Sequence, residues 1–265
     1  MLKSQFKTVA GVVRSALIVS AVVLVAGSAI DARERLTTST SVKAVRTNAS
    51  VHAAASLFQA ADWTGSTVGA MDPRVFKLAL SAASCAAQAG KISSPSTLTV
   101  IDYSKPSTQK RLWVVDLKSH ELLFEELVAH GQGSGDNLAS RFSNDPETHR
   151  SSIGLFETKD AYLGKNGYSL RLVGLDAGFN DHAYERAIVM HGAPYVSETF
   201  ARTQGRLGRS WGCPAVRASV AHELIDRVKE TGLVFAYYPD PKWLSSSQFL
   251  GNCYGNSGIT PGLAG

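Results

Sequence analysis

The sequence predicts an α+β domain, predominantly β, with two supporting helices. Three observations carry this expectation: a series of short segments rich in Val, Ile, Leu and aromatic residues from Thr97 onward, one sharply punctuated helix ahead of it, and one amphipathic helix near its end. The β segments are Thr97 to Tyr103, Arg111 to Leu117, Leu122 to His130, Ser152 to Thr158, Tyr168 to Leu175, Arg186 to His191 and Leu233 to Tyr238. Their number alone permits either a sandwich or a barrel.

The first helix is expected from Asp72 to about Ala89. Asp72 can cap it, Pro73 falls in the first turn where its missing N–H costs nothing, and Gly90 follows the end. Leu78, Ala82, Cys85 and Ala89 recur at helical spacing, which turns Cys85 toward the core. The second helix is expected from Ser219 to Glu230, with Val220, Leu224, Ile225 and Val228 on one stripe and Gly232 stopping it.

The flanks read differently. Lys3, Lys7 and Arg14 precede an apolar run, Ala16 to Ala26, that ends in Gly27-Ser28-Ala29, the pattern of a cleavable export signal over residues 1–29. The run is short against the ~20 residues that span a bilayer, so contact with a membrane is expected only through that signal. Residues 30–70 form a Ser/Thr/Ala-rich tether with a possible short helix around Val51 to Ala61, and 71–96 a helical N-terminal extension. Residues 97–240 form the main domain. The stretch 241–265 is a tail rich in Gly and Ser, and the chain from Pro239 onward is expected at the surface. Asn48-Ala49-Ser50 matches a glycosylation acceptor but is short enough to arise by chance.

Composition is that of an ordinary globular protein, 44% hydrophobic and 18% charged. Removing residues 1–29 takes away three positive charges and no negative ones, lowering the net charge from +5 to +2. No basic run interleaved with aromatics remains, so no nucleic-acid partner is expected. Three cysteines, Cys85, Cys213 and Cys253, in an exported chain leave at least one thiol outside any intramolecular disulfide.

The neighbourhood of Cys213 singles it out as that thiol. Ala187 to Gly192 reads as a buried strand ending in His191 and Gly192, where a scaffold can hold an imidazole at the rim of a cleft. Further on comes Gly208-Arg209-Ser210-Trp211-Gly212-Cys213-Pro214, a glycine-bearing turn ahead of the second helix. Gly212 lets the backbone approach a substrate closely, as an oxyanion site of main-chain N–H groups requires. A free thiol with a pKa of about 8.5 is mostly protonated at neutral pH, and a histidine can take its proton and return it to an amine leaving group. Orientation of that imidazole needs a third group, either the Ser210 carbonyl or another partner.

The strand ending in His-Gly, the spacing to the cysteine and the Ser-x-Gly-Cys signature resemble the catalytic domain of bacterial L,D-transpeptidases. The resemblance covers roughly Leu98 to Tyr238. Asp102-Tyr103-Ser104-Lys105-Pro106-Ser107, Ala129 to Gly135, Phe142-Ser143-Asn144 and Ser210 to Val216 resemble the murein L,D-transpeptidase branch in particular. It implies a β-sandwich with supporting helices, and catalytic roles for Cys213 as nucleophile, His191 as base, and Ser210 and Gly212 in shaping the site. It further implies substrate contacts at Gly192, Trp211, Arg209 and Arg217, peptidoglycan stem peptides as partners, a periplasmic or cell-wall location, and neither metal nor organic cofactor. Two positions depart from the pattern: many relatives carry histidine at the place of Trp211, and arginine or asparagine at the place of Ala215, a function Arg217 can take over. With Cys213 kept reduced, Cys85 and Cys253 are the remaining pair for a disulfide.

Other readings are weaker. The loop His130 to Gly135 lacks the Lys-Ser/Thr ending of a phosphate cradle, and His130 reads as a structural histidine. His149, His182, His191 and Cys213 have no local ligand spacing for zinc, and His222-Glu223 lacks the second histidine of a metalloprotease helix. Arg202, Arg206 and Arg209 fit a carboxylate-binding loop or a solvated basic one equally. A papain-like peptidase would place its cysteine ahead of its histidine, the reverse of the order here. Hydrolysis of the same bond, as an L,D-carboxypeptidase, and an inactive wall-binding module are the alternatives to acyl transfer.

Overall fold

Among the described residues, nine strands form one sheet, in the order β3-β2-β1-β9-β5-β6-β7-β8-β4. They are β1 (Thr97–Asp102), β2 (Leu112–Asp116), β3 (Leu122–Glu126), β4 (Val128–Ala129), β5 (Gly154–Gly164), β6 (Gly167–Gly174), β7 (Val189–Ala193), β8 (Ala215–Arg217) and β9 (Gly232–Tyr237). Four α-helices accompany them among the described residues: α1 (Pro73–Gln88), α2 (Glu198–Gln204), α3 (Ala218–Val228) and α4 (Pro241–Ser246). The computed structural model describes residues 57, 58, 63 and 68–250. The leader, nearly all of the tether and of the possible helix from Val51 to Ala61, Asn48-Ala49-Ser50 and Cys253 lie outside the described residues.

Strands β3 and β4 occupy opposite ends of the sheet order, yet a single residue, Leu127, joins them. One residue spans at most ~3.6 Å, so the two ends of the sheet must lie side by side and the sheet folds over on itself. The result is a sandwich-like β core, and the segment expected as one strand from Leu122 to His130 is two strands belonging to opposite edges. Arg111, fully buried, holds this junction: its Nε and Nη2 donate to the Val128 carbonyl at 3.1 and 2.9 Å and its Nη1 to that of Lys105 at 2.8 Å.

Two pairings are parallel, β1 with β9 (Thr97 opposite Gly232) and β7 with β8 (His191 opposite Ala215); the rest are antiparallel. The central strands β1 and β9 are buried almost throughout, which is why they read as continuous apolar runs rather than alternating ones. Asp72 caps α1 by accepting the Arg74 N–H at 2.8 Å, and Gly90 just beyond the helix has φ +66°, a left-handed conformation that glycine adopts without steric cost. Val75, Phe76, Ala79, Leu80 and Cys85 of α1 join the main core, as do Leu224, Ile225 and Val228 of α3. Cys85 is held in a disulfide, while Cys213 is the free thiol among the described residues.

The chain beyond Pro239 departs from its expected surface position. Asp240 caps α4 through the Trp243 N–H, and Trp243 is fully buried, its indole donating to Asp176 at 2.9 Å. Ser247 donates to the same carboxylate at 2.9 Å, and Phe249 and Leu250 are buried as well. Pro, Ser and Asp here serve as caps and turns around a few large apolar side chains, so bulk composition misled.

Candidate active site

The parallel pair β7 and β8 builds the site. With His191 opposite Ala215, two residues back along each strand Val189 faces Cys213, and the Val189 N–H donates to Cys213 Sγ at 3.4 Å. The thiol in turn donates to the Ala187 carbonyl at 3.7 Å. Ala187 has φ +53°, a left-handed conformation that is unfavourable for a residue with a Cβ, at the point where the chain enters β7. Cys213 and His191 are both largely buried, at 9% and 4% exposure.

The turn ahead of the cysteine is clamped from both sides. Ser210 Oγ accepts the Gly212 N–H at 3.1 Å and donates to the Cys213 carbonyl at 2.6 Å. Ser151 Oγ accepts the Gly131 N–H at 3.0 Å and donates to the Gly212 carbonyl at 2.9 Å, linking the glycine-rich loop to the cysteine turn. Gly212 has φ +121°, and a Cβ there would meet the Arg150 carbonyl at 2.8 Å and Ile188 Cδ1 at 2.9 Å. Only glycine suits that position.

The imidazole of His191 is oriented by its neighbour's backbone, with Nδ1 3.0 Å from the Gly192 carbonyl. A carbonyl only accepts, so Nδ1 carries the proton, and in the neutral ring Nε2 keeps its lone pair for a proton to be abstracted. The Ser210 carbonyl, one of the two candidates for this role, instead accepts the Gln132 N–H at 2.8 Å. Among the described residues no hydrogen bond joins His191 to Cys213; the thiol's partners are Val189 and Ala187. Burial lowers the His191 pKa, offset in part by the Gly192 carbonyl. Burial raises that of Cys213, offset by the Val189 N–H and by the positive charge of Arg186. Both effects favour the neutral forms of the thiol and of the imidazole.

Arg186 escaped sequence reasoning. Its guanidinium donates to the carbonyls of Ser143 (2.7 Å) and Arg150 (2.8 Å) and to Ser152 Oγ (2.6 Å), with no carboxylate within ion-pairing distance among the described residues. Its one sequence signal was position: it stands immediately ahead of the strand that carries the histidine. Tyr195 was also missed; burial, and then the Cys213 charge, pushes its phenol up to about 12.

The other expected contacts distribute unevenly. Trp211 lies next to the cysteine turn, 73% exposed. Arg209 is engaged by Asp136 at 2.8 Å and by the Gly135 carbonyl at 3.0 Å. Arg217 forms a two-pronged pair with Glu126, at 2.7 and 2.5 Å, at the far end of β8. It borders a cavity of about 350 Å³ shared with Arg202, Glu198 and Ser219. Gly192 packs against α3, where a Cβ would meet Ala221 at 2.7 Å, so its contribution is its carbonyl. His130 is buried, its Nδ1 accepting from Arg111 Nη2 at 2.7 Å; burial and the adjacent guanidinium bring its pKa down to about 4. The segment expected as a basic loop between histidine and cysteine contains α2, capped by Ser197.

Residues 68–237 match the family model of the L,D-transpeptidase catalytic domain. A comparison with curated proteins finds no match. Among solved structures, an L,D-transpeptidase from Mycobacterium smegmatis is similar at 14% identity over 54% of this chain, with a TM-score of 0.34; the match spans 59% of that protein's length. An L,D-transpeptidase from Stackebrandtia nassauensis is similar at 17% identity, covering 62% of this chain and 68% of that one, TM-score 0.34. L,D-transpeptidase 3 from Mycobacterium tuberculosis is similar at 16% identity, covering 56% and 66%, TM-score 0.33. The family match spans more than half of the sequence and takes in the histidine strand, the cysteine turn and both parallel strand pairs: the chain belongs to the L,D-transpeptidase catalytic-domain family.

Proposed function

We propose that this protein is an exported cysteine acyltransferase of the cell wall that takes its acyl group from peptidoglycan stem peptides. The observation that carries the reading is the β7–β8 register, which sets a buried free thiol two residues upstream of the position opposite His191. Family membership supplies the reaction class.

In this reading a stem peptide enters with the carbonyl of an L-centre against Cys213. His191 Nε2 takes the thiol proton as sulfur attacks, and the carbonyl oxygen becomes an oxyanion beside the main-chain N–H of Cys213 itself, those of Ser210 and Gly212 being engaged within the turn. The imidazolium returns that proton to the nitrogen of the departing terminal D-alanine, which leaves as an amine, and a thioester on Cys213 remains. An acceptor amine then attacks the thioester, His191 takes a proton from it, and collapse releases the new amide and restores the thiol. Water in place of the amine makes the same steps a carboxypeptidase reaction. Because burial favours the neutral thiol and the neutral imidazole, charge separation develops with substrate in place, where the Arg186 cation stabilises the nascent thiolate.

Intact-mass spectrometry tests the reading. Incubation with isolated tetrapeptide stems or with a β-lactam should add one acyl mass to the native chain and none to Cys213→Ser. An unmodified native chain, or D-alanine release undiminished in the serine variant, refutes it.

A further inference from the structure

Trp211 is the unexplained feature of the site. Large aromatic side chains usually bury most of their surface, yet this one stands 73% exposed two residues before the nucleophile. It is also held rigidly. One indole face stacks on His149, ring centroids 4.8 Å apart and planes within 9° of parallel. The imidazole is itself fixed by the Gln132 side-chain amide, whose Nε2 lies 2.8 Å from His149 Nδ1. The His149 backbone accepts the Gly133 N–H at 2.9 Å, tying this stack to the same loop that Ser151 fastens to the cysteine turn. The opposite indole face is left as a flat, open, preorganised surface.

A flat apolar face calls for a ligand with a flat apolar face. An ammonium group is also attracted to an indole face, but the charges near this stack have both signs, with Glu147 and Arg150 to either side of His149 in sequence and Arg209 already paired with Asp136, so the surroundings give a cation no advantage. A pyranose ring presents a face of C–H bonds and carries its hydroxyls at the rim, so it is neutral, matches the indole in size, and loses little hydration on stacking.

We propose that the open face of Trp211, backed by His149, is a subsite for an N-acetylhexosamine ring of the glycan strand, so that the protein reads sugar as well as peptide. This deepens the stem-peptide reading and rests on it.

A Cys213→Ala protein, which cannot turn over, is titrated with a tetrasaccharide of β-1,4-linked N-acetylglucosamine while tryptophan fluorescence is followed. Trp113 and Trp243 are fully buried and Trp63 is half-buried, so a fluorescence change at the exposed indole is distinguished by its loss in Trp211→Phe. Saturable binding is expected, lost when Trp211→Ala is added and largely kept with Trp211→Phe. In parallel, acylation of the otherwise native chain is compared on glycan-linked stems and on the same stems freed of sugar. Trp211→Ala should lower the ratio of the two kcat/KM values about tenfold, the size of effect one aromatic stacking contact gives. Equal loss on both substrates overturns the glycan subsite and leaves the transpeptidase reading standing. Absence of turnover on either substrate refutes the transpeptidase reading, and the tetrasaccharide titration then decides the sugar site by itself: no binding, or binding unaffected by Trp211→Ala, overturns it.

Discussion

The Ser210 hydroxyl donates to the carbonyl of Cys213 at 2.6 Å while accepting the N–H of Gly212, so one small side chain fixes the backbone on both sides of the bond that presents the thiol. Ser210 acts on geometry; nothing in its position bears on proton transfer from sulfur.

Ser210→Ala leaves a buried carbonyl and a buried N–H without their partner. We expect a stability loss of about 1–3 kcal/mol in urea unfolding, with acylation of Cys213 falling further than a matched loss at a remote site would cause. Unchanged unfolding and unchanged acylation would show that the turn holds itself.

The charge of Arg186 opposes the burial that raises the Cys213 pKa. Arg186→Met removes that opposition, so the pH profile of iodoacetamide alkylation should move to higher pH and the rate at neutral pH should fall. Arg186→Lys keeps the cation and should restore most of the profile even if its three hydrogen bonds are imperfectly replaced. A profile indifferent to charge at this position excludes Arg186 as the counter-charge.

His130 has its pKa lowered from the ordinary 6.5 to about 4, because the buried ring sits against Arg111. Its neutral form is therefore favoured by folding. The stabilisation is complete above pH ~6.5 and is lost as pH falls through 4, amounting to at most about 3 kcal/mol. His191, lowered by burial, adds to the loss in the same direction. In His130→Gln, urea midpoints measured between pH 7 and 4 should fall less steeply than in the native chain, even though the variant starts lower. Parallel curves would remove His130 from the account.

Trp243 fills the core from a segment whose composition reads as surface. Trp243→Ala should cost about 3–5 kcal/mol, since it deletes a fully buried indole and strips Asp176 of a donor. Thermal unfolding reads this directly, and a shift within error of the native value would mean that the site collapses without penalty.

What the sequence made legible follows from how local each signal is. The capping of α1 by Asp72, its end at Gly90, the stripe on α3 and the apolar runs of β1, β2, β6 and β9 all lie within a few residues of their cause, and the structure has them within one or two residues of the expected bounds. The break at Leu127 was hidden because no Gly or Pro separates Leu122–Glu126 from Val128–Ala129, and a run without turn residues looks the same whether it serves one edge of a sheet or two. Arg186 was hidden because its partners Ser143, Arg150 and Ser152 lie more than thirty residues away in the chain. Local pattern located the histidine strand and the cysteine turn, whereas the carbonyl that orients the imidazole, that of Gly192, depends on backbone torsion that no pattern encodes.

The last strand among the described residues sits in the interior of the sheet. Strand β9 lies between β1 and β5, pairing Thr97 with Gly232 on one side and Gly154 with Ala236 on the other. Without residues 232–237, β1 and β5 lack the neighbour they share, and the two sides of the sheet are not joined through it. Folding must then wait for contacts about 135 residues apart in sequence, a topology that favours slow assembly. A chain truncated before Gly232 therefore loses an interior strand that joins two others, the sheet's keystone rather than its edge.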